Sequence, residues 1–171
     1  MPEPAATRPA DPPAGPPTVR RATPDDVEAV SAVKAAGGLA DSARAARALH
    51  DAIADPDRLV VVALAGGAVV GYAKTHRYPD ADGPAPAGHY LGGIAVAPDA
   101  RRLGAATLLT QARLDWIRGR TDTAFYFTNA RNAASLALHA RWGFVEVARG
   151  AAFRGVTFEG GTGILLSAPL D

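Results

Sequence analysis

The segment from Val96 to Ile117, VAPDARRLGAATLLTQARLDWI, constrains the fold more than any other stretch of this 171-residue chain. An apolar strand pattern ends at Pro98, two arginines and a glycine follow, and an amphipathic helix pattern begins at once. The first amides of a helix have no partner within it and carry partial positive charge, so they hold anionic oxygens well. The segment therefore predicts a strand, turn and helix that together bind an anion, for which a pyrophosphate is the natural fit.

The residues around Gly104 supply the details of this anion site. Arg101, Arg102 and the amides from Leu103 to Ala106, Ala105 among them, would surround the phosphate oxygens. Gly104 would let the backbone approach a phosphate where a Cβ would collide. A solvated turn with a packing glycine is the alternative for this segment taken alone. The P-loop pattern is absent, and no Rossmann glycine pattern follows a strand, so neither of those nucleotide sites is predicted.

Composition excludes several classes of function. The chain has 18 lysines and arginines against 17 acidic residues, a formal charge of +1, so no overall field attracts nucleic acid or an anionic membrane. It has no cysteine, which excludes disulfides, thiolate metal sites and a covalent cysteine route. The four histidines are scattered without metal-ligand spacing, and we expect no metal.

The chain is predicted to form a single domain over residues 19–171. Residues 1–18 are rich in Pro and Ala, carry little to bury and lack the pattern of a signal peptide, so a flexible tail is expected. No apolar run reaches the roughly 18 residues of a membrane span. We therefore expect a soluble, cytoplasmic protein.

The element order predicted from periodicity is βααβββαβαββ, an α/β chain with a mostly antiparallel sheet. The first helix is expected to follow Thr23 as its N-cap. The other three helices are expected to cover Asp41–Ala54, about Gly104–Arg118, and Asn132–Trp142. Breaker-rich segments over residues 77–89 and 154–161 are expected to be irregular loops. Gly92 and Gly93, inside the fourth strand, indicate a bulge.

Two motifs resemble the GNAT acetyltransferase superfamily. Arg101, Gly104 and Ala106 match the acyl-CoA signature R/Q-x-x-G-x-G/A after the fourth strand. The segment NAASLALHARWGF, from Asn132 to Phe144, matches a second family pattern. Its matching positions are Asn132, Ser135, Leu138, His139, Gly143 and Phe144. The resemblance covers about Val19 to Ala168 and implies a mixed, mostly antiparallel sheet flanked by about four helices, with splayed fourth and fifth strands.

The resemblance also implies an activity: transfer of an acetyl group from acetyl-CoA to a primary amine of a small molecule or peptide, by direct attack in a ternary complex. Backbone groups of Ile94, Ala95 and Val96 would pair with the pantetheine arm and polarise the thioester oxygen. Asn132 would contact the arm through its side-chain amide, with Ser135 beside it in the same motif.

The acid and base are less defined. Many relatives have a tyrosine near the sulfur of coenzyme A where this chain has His139, which could protonate the departing thiolate. The alternative is a packed helix histidine, and Tyr126 is the reserve acid. Glu159 is a candidate base, and His89, His76 and Asp80 are further candidates. For each of the four, a solvated loop residue is the alternative.

Other residues are given structural roles. Trp116 and Trp142 are expected in the core. The arginines at 113, 118 and 120 are expected on a solvated face. Asp80, Asp82 and Glu159 suggest a cationic acceptor.

Two other functions remain open at this point. One is a non-catalytic acyl-CoA sensor on the same fold, which turnover of acetyl-CoA would exclude. The other is a nucleic-acid-directed protein, which the near-zero charge disfavours. By analogy with the family, a homodimer is expected.

Overall fold

The computed structural model describes residues 15–40 and 42–171. Most of the predicted tail, residues 1–14, lies outside these residues, and so does Asp41, the predicted first residue of the second helix. The first strand begins at Thr18, one residue before the predicted start of the domain. Ser42 caps the second helix, because its hydroxyl oxygen accepts a hydrogen bond from the Ala45 amide at 3.1 Å.

The elements follow the predicted order, with two additional short strands near the C-terminus. The strands are β1 Thr18–Arg21, β2 Val60–Ala65, β3 Ala68–Tyr78, β4 Gly88–Val96, β5 Thr123–Asn129, β6 Val145–Gly150, β7 Ala152–Phe153, β8 Val156–Thr157 and β9 Gly163–Pro169. The helices are α1 Val27–Ala36, α2 Ala43–Ala54, α3 Ala105–Arg118 and α4 Ala133–His139. Short 3-10 turns precede α1 and α3, and another follows α4.

The main sheet has seven strands in the order β1-β2-β3-β4-β5-β9-β6. Its neighbouring strands are antiparallel except β4 and β5, which run parallel. The predicted fold class, a mixed and mostly antiparallel sheet with four helices, is confirmed.

Both faces of the sheet are covered. On one face, Leu109, Leu114 and Ile117 of α3 are fully buried. On the other face, Val30 of α1 and Leu49 of α2 pack against alternate residues of β2 and against β3. Burial on both sides explains the continuous apolar run of β2.

The two predicted loops contain regular structure. β3 continues to Tyr78, and β4 already begins at Gly88. Between them, Asp82 and Ala85 exchange backbone hydrogen bonds of 2.9 and 3.0 Å. The prediction of an irregular segment over 77–89 is therefore wrong at both ends, because strand pairing outweighs local composition.

The second predicted loop, residues 154–161, begins inside a hairpin of β7 and β8. Arg154 and Gly155 form its two-residue turn, with φ of 52° and 74°. Positive φ at both central residues is the requirement of a type I′ turn, which matches the twist of antiparallel strands.

β4 is bulged at Gly92 and Gly93, as predicted. Ala73 faces Ile94 and Thr75 faces Leu91, so the two glycines lie opposite Lys74 alone. A Cβ on Gly92 would lie 2.8 Å from His76 Cδ2 and 3.1 Å from the Lys74 carbonyl oxygen, which leaves no room for a side chain. The bulge therefore requires glycine at position 92.

Candidate active site

The N-terminus of α3 is an open anion-binding position. Gly104 is the N-cap residue and has a φ of 88°, and Arg102 has the left-handed φ of 64°. The Leu108 amide bonds the Gly104 carbonyl at 3.1 Å, so the amides of residues 105–107 have no partner within the helix. A Cβ on Gly104 would meet no heavy atom within 4 Å. Open space therefore lies over this glycine, where an anion can approach.

A groove of about 690 Å³ extends from this helix start and is called the first groove. All the predicted coenzyme A contacts line it except Leu103, which lies on the exposed turn before α3. The predicted residues that line it are Ile94, Ala95, Val96, Arg101, Arg102, Gly104, Ala105, Ala106, Asn132 and Ser135. Two segments that are distant in sequence thus form one continuous surface.

The first groove also contains residues that the motifs do not indicate. Arg141 lines it after α4, and its Nη1 donates to Thr107 Oγ1 at 3.2 Å. Gly37 and Leu39, just after α1, close another side. The packing of α3 against α4 places Arg141 on the same groove as Arg101 and Arg102, and no sequence spacing signals this arrangement.

The edge of β4 that faces β5 is open beyond the first residues of the strand. β4 and β5 pair only at His89 with Ala124 and at Tyr90 with Phe125. Residues 94–96 pair with β3 on their other side, so one edge of this segment has no strand partner. The splayed strands predicted from the family resemblance are confirmed.

A second groove, of about 410 Å³, opens on the other side of this gap. Its lining includes Tyr72, Lys74, His76 and Tyr78 of β3. Ile94, Asn132 and Ser135 line both grooves, so the two grooves meet at the separation of β4 and β5.

Tyr126 and His139 lie together in the second groove. Their ring centroids are 4.2 Å apart with an interplanar angle of 30°. His139 Nδ1 donates to the Ser135 carbonyl oxygen at 2.8 Å, because a carbonyl can only accept. In the neutral ring this leaves Nε2 as an acceptor. Within the described residues, neither this Nε2 nor the buried Tyr126 hydroxyl has a hydrogen-bond partner.

Burial sets the protonation states of this pair. Burial, joined by the nearby Arg113 charge and opposed by the hydrogen bond to the Ser135 carbonyl, lowers the pKa of His139 to about 4. Burial raises the pKa of Tyr126 to about 12, with a small opposing effect from Ser135. At neutral pH, His139 is therefore uncharged and Tyr126 carries its proton.

The four candidate bases lie in different places. Glu159 is exposed between β8 and β9 and lines neither groove, and Asp80 is likewise exposed and outside both. His89 is buried against Trp116, with ring centroids 5.5 Å apart. His76 lies in the second groove, where Arg58 Nη2 donates to its Nδ1 at 2.9 Å.

Arg113 lies in the core, and its predicted place on a solvated face is wrong. Its side chain is fully buried on α3. Nη2 donates to Thr110 Oγ1 at 3.1 Å, and Nη1 donates to the Gly92 carbonyl at 3.1 Å. Burial lowers the pKa of Arg113 to about 9, which leaves it charged at neutral pH. In contrast, the predicted packing of Trp116 and Trp142 against the core is confirmed.

No group of three or more His, Asp or Glu side chains in residues 15–40 and 42–171 is arranged to hold a metal ion. Within the same ranges, none of the helices combines the length and apolar character needed to cross a bilayer.

Comparison with known proteins identifies the class. The sequence model of the acetyltransferase (GNAT) family matches residues 31–144. An aminoglycoside N(6')-acetyltransferase type 1 from Klebsiella aerogenes is 34% identical over 109 residues, which cover 62% of this chain and 71% of that protein.

Solved structures share the fold. The ribosomal-protein-S18-alanine N-acetyltransferase of Escherichia coli superposes with a TM-score of 0.71 at 21% identity, covering 91% of this chain and 94% of that one. The putative acetyltransferase yncA from Salmonella typhimurium, solved with its cofactor acetyl-CoA, gives a TM-score of 0.72 at 21% identity, covering 92% and 95%.

These matches and the two motifs place the chain in the GNAT acetyltransferase family. It is an acetyl-CoA-dependent N-acetyltransferase, as the resemblance implies. The free amides at the start of α3, the arginines at 101, 102 and 141, and the open edge of β4 suit an anionic diphosphate with a polar arm.

Proposed function

We propose that the first groove holds coenzyme A and that the second groove holds a primary amine of a small molecule or peptide. The observation that carries this assignment is the meeting of the grooves at Ile94, Asn132 and Ser135, where β4 and β5 separate. Acetyl-CoA supplies an activated acetyl thioester. In the net reaction a nitrogen–carbon bond forms and the carbon–sulfur bond breaks, while the amine loses a proton and the thiolate gains one.

The backbone and side chains of the first groove would bind the donor. The free amides at residues 105–107 and the arginines at 101, 102 and 141 would hold the diphosphate. The open edge at residues 94–96 offers backbone groups to the amides of the arm and to the thioester oxygen. Asn132 uses its Oδ1 to cap α4 by accepting from the Ser135 amide at 3.1 Å, so Nδ2 is the group it offers to the arm.

Tyr126, rather than His139, would donate the proton to the thiolate. An acid must still carry its proton when the thiolate forms, and Tyr126 does so because burial raises its pKa. His139 is neutral at pH 7, and its ring proton is already donated to the Ser135 carbonyl. In this proposal His139 packs against Tyr126 and fixes the ring of the acid.

The amine would react in its neutral form. The described lining of the second groove contains no carboxylate, so Glu159 and Asp80 have no direct role in this proposal. Lys74 lies in that groove, and its positive charge lowers the pKa of an ammonium group bound nearby. The bound amine therefore loses its proton to solvent.

A thiol-release assay tests the proposal. Purified protein with acetyl-CoA and a panel of primary amines should release coenzyme A and form the N-acetyl product, as measured by mass spectrometry. Calorimetric binding of acetyl-CoA without turnover on any amine would instead support the acyl-CoA sensor.

The molecular setting completes the proposal: a cytoplasmic homodimer without a nucleic-acid partner. These parts stay predictions from the sequence and the family. Light scattering on the purified chain measures the oligomeric state, and salt-sensitive retention of RNA would contradict the absence of a nucleic-acid partner.

A further inference from the structure

The second groove contains basic side chains without acidic partners. Lys74 and His76 lie on the same face of β3 and line the groove. Arg58, outside the groove lining, donates a hydrogen bond to His76. No Asp or Glu side chain of residues 15–40 and 42–171 lines it. The charge of this groove is therefore positive.

The basic groups in this region act against one another. Burial lowers the pKa of Lys74, and the charges of Arg58 and Lys34 lower it further. The pKa of His76 falls to about 4, first through burial and then through Arg58 and Lys74. A half-buried ammonium that lacks an acidic partner is stabilised when an anion binds beside it. An anionic ligand would therefore bind beside Lys74 and supply the counter-charge that this ammonium group lacks.

The walls of the groove are aromatic. All four tyrosines of the chain line it, together with Phe127. Tyr90 stacks on Phe125 with centroids 5.2 Å apart, and Arg154 lies 4.3 Å from the Tyr78 ring centroid, which adds a further positive charge at this wall. Flat, largely apolar walls suit the body of a ligand whose polar ends are recognised elsewhere.

We propose that the acceptor is a small amino carboxylate: a primary amine that carries a carboxylate and an apolar or aromatic body. The carboxylate binds Lys74, the body lies against the tyrosines, and the amine points to the separation of β4 and β5. This inference rests on the proposed function, because it assumes that the second groove holds the acceptor.

The same observations argue against a polycationic acceptor. The expectation of a cationic amine rests on Asp80, Asp82 and Glu159, which line neither groove. A polyamine or aminoglycoside in the second groove would place its ammonium groups beside Lys74 without a counter-charge. Such repulsion costs binding free energy.

Matched amines test the inference. Phenylalanine and phenethylamine, tyrosine and tyramine, and leucine and isopentylamine differ within each pair only by the carboxylate. For the wild-type protein we expect kcat/KM to be at least about tenfold higher for the amino acid than for the matching amine in the pair with the largest difference. One charge-assisted hydrogen bond accounts for a factor of this size. Kanamycin, a polycation, should be acetylated at the background rate. Equal or higher rates for the amines without carboxylate, or for kanamycin, would overturn the inference.

Variants of β3 locate the effect. Lys74→Met keeps the aliphatic stem and should reduce the ratio of kcat/KM between amino acid and amine to about one in each pair. Lys74→Arg should retain the wild-type ratio. Arg77→Met is the matched control, because Arg77 is on the same strand but pairs with Asp57 at 3.0 Å outside the groove. An unchanged preference in Lys74→Met would also overturn the inference.

A binding measurement separates this inference from the proposed function. Calorimetric titration of the coenzyme A-saturated protein with the same pairs does not require turnover. Preferred binding of the amino acids without thiol release would support the inference while contradicting the assignment of the catalytic groups. Thiol release with the opposite preference would support acetyl transfer and overturn the inference.

Discussion

Arg113 Nη1 donates a hydrogen bond to the carbonyl oxygen of Gly92 at 3.1 Å, directly at the bulge of β4. The same nitrogen lies 3.4 Å from the Lys74 carbonyl on β3. One buried guanidinium therefore joins α3 to both strands that form the bulge. It also places a positive charge near His139.

Replacement of Arg113 by Met should raise the pKa of His139. The positive charge of Arg113 lowers that pKa, so its removal favours the protonated ring. The lost hydrogen bonds and the relieved desolvation of the guanidinium oppose each other, so we expect little change in melting temperature. We expect kcat/KM to fall by up to about 100-fold as the bulge loosens, the loss that a small misplacement of the reacting groups can cause.

An NMR titration of the His139 ring measures this shift. Arg118→Met removes an arginine from the exposed side of the same helix and is the control. Arg113→Lys keeps the charge and should keep the pKa of His139 low. A pKa of His139 that is unchanged or lower in Arg113→Met would contradict the role of the charge.

Gly104→Asp should weaken coenzyme A binding by at least about tenfold. It places bulk and negative charge in the open space over the helix start, where the diphosphate is proposed to bind. Gly67→Asp is a matched control, because Gly67 in the β2–β3 turn has a similar φ of 81° and equally open surroundings. Both variants should lose similar stability, so comparable affinity in calorimetry would place the diphosphate elsewhere.

The sequence predicted those parts of the fold that local rules determine. The strand–turn–helix unit, the capped helices and the bulge at Gly92 and Gly93 follow from periodicity and from glycine and capping chemistry. The turn at Arg154 was not predicted, because a left-handed arginine has no local signal and depends on pairing between β7 and β8.

In the candidate site, too, the residues of a local motif were predicted and those positioned by contacts between distant elements were not. Residues within one motif, such as Gly104 and Asn132, line the first groove, and their contact with coenzyme A stays a prediction. Arg113 was predicted on a solvated face because arginines in helices are usually exposed to solvent. The carbonyl group that accepts its hydrogen bond belongs to the bulge of β4, which the helix sequence does not reveal. Lys74 was missed because alternation in a strand does not show which face lies beside a gap.

Tyr126→Phe should lower kcat about 100-fold, the typical contribution of a general acid. The KM for acetyl-CoA should change little, because the hydroxyl has no partner in the described structure and serves the leaving thiolate. Removing an unpaired buried hydroxyl should leave stability equal or slightly higher.

Initial rates with saturating acceptor and a thermal melt measure these effects. His139→Gln provides the comparison: it removes the ring that packs on Tyr126 but not the proposed acid, so its kcat should fall less. A smaller loss in Tyr126→Phe than in His139→Gln would assign the acid to His139 instead.

Asp26→Asn should destabilise the fold by about 1 kcal/mol at neutral pH, in the range measured for helix caps. The Asp26 carboxylate accepts from Arg20 at 2.7 and 2.8 Å and from the Thr23 amide at 2.7 Å, and these bonds lower its pKa from 3.8 to about 2. Because the folded pKa is depressed, this stabilisation is present above about pH 4 and is lost as the pH falls through about 2. The difference in unfolding free energy between wild type and variant should therefore shrink over that range in urea titrations. Asp25→Asn, at the exposed neighbouring position, should show no such difference, and an undiminished wild-type advantage at pH 2 would contradict the assignment.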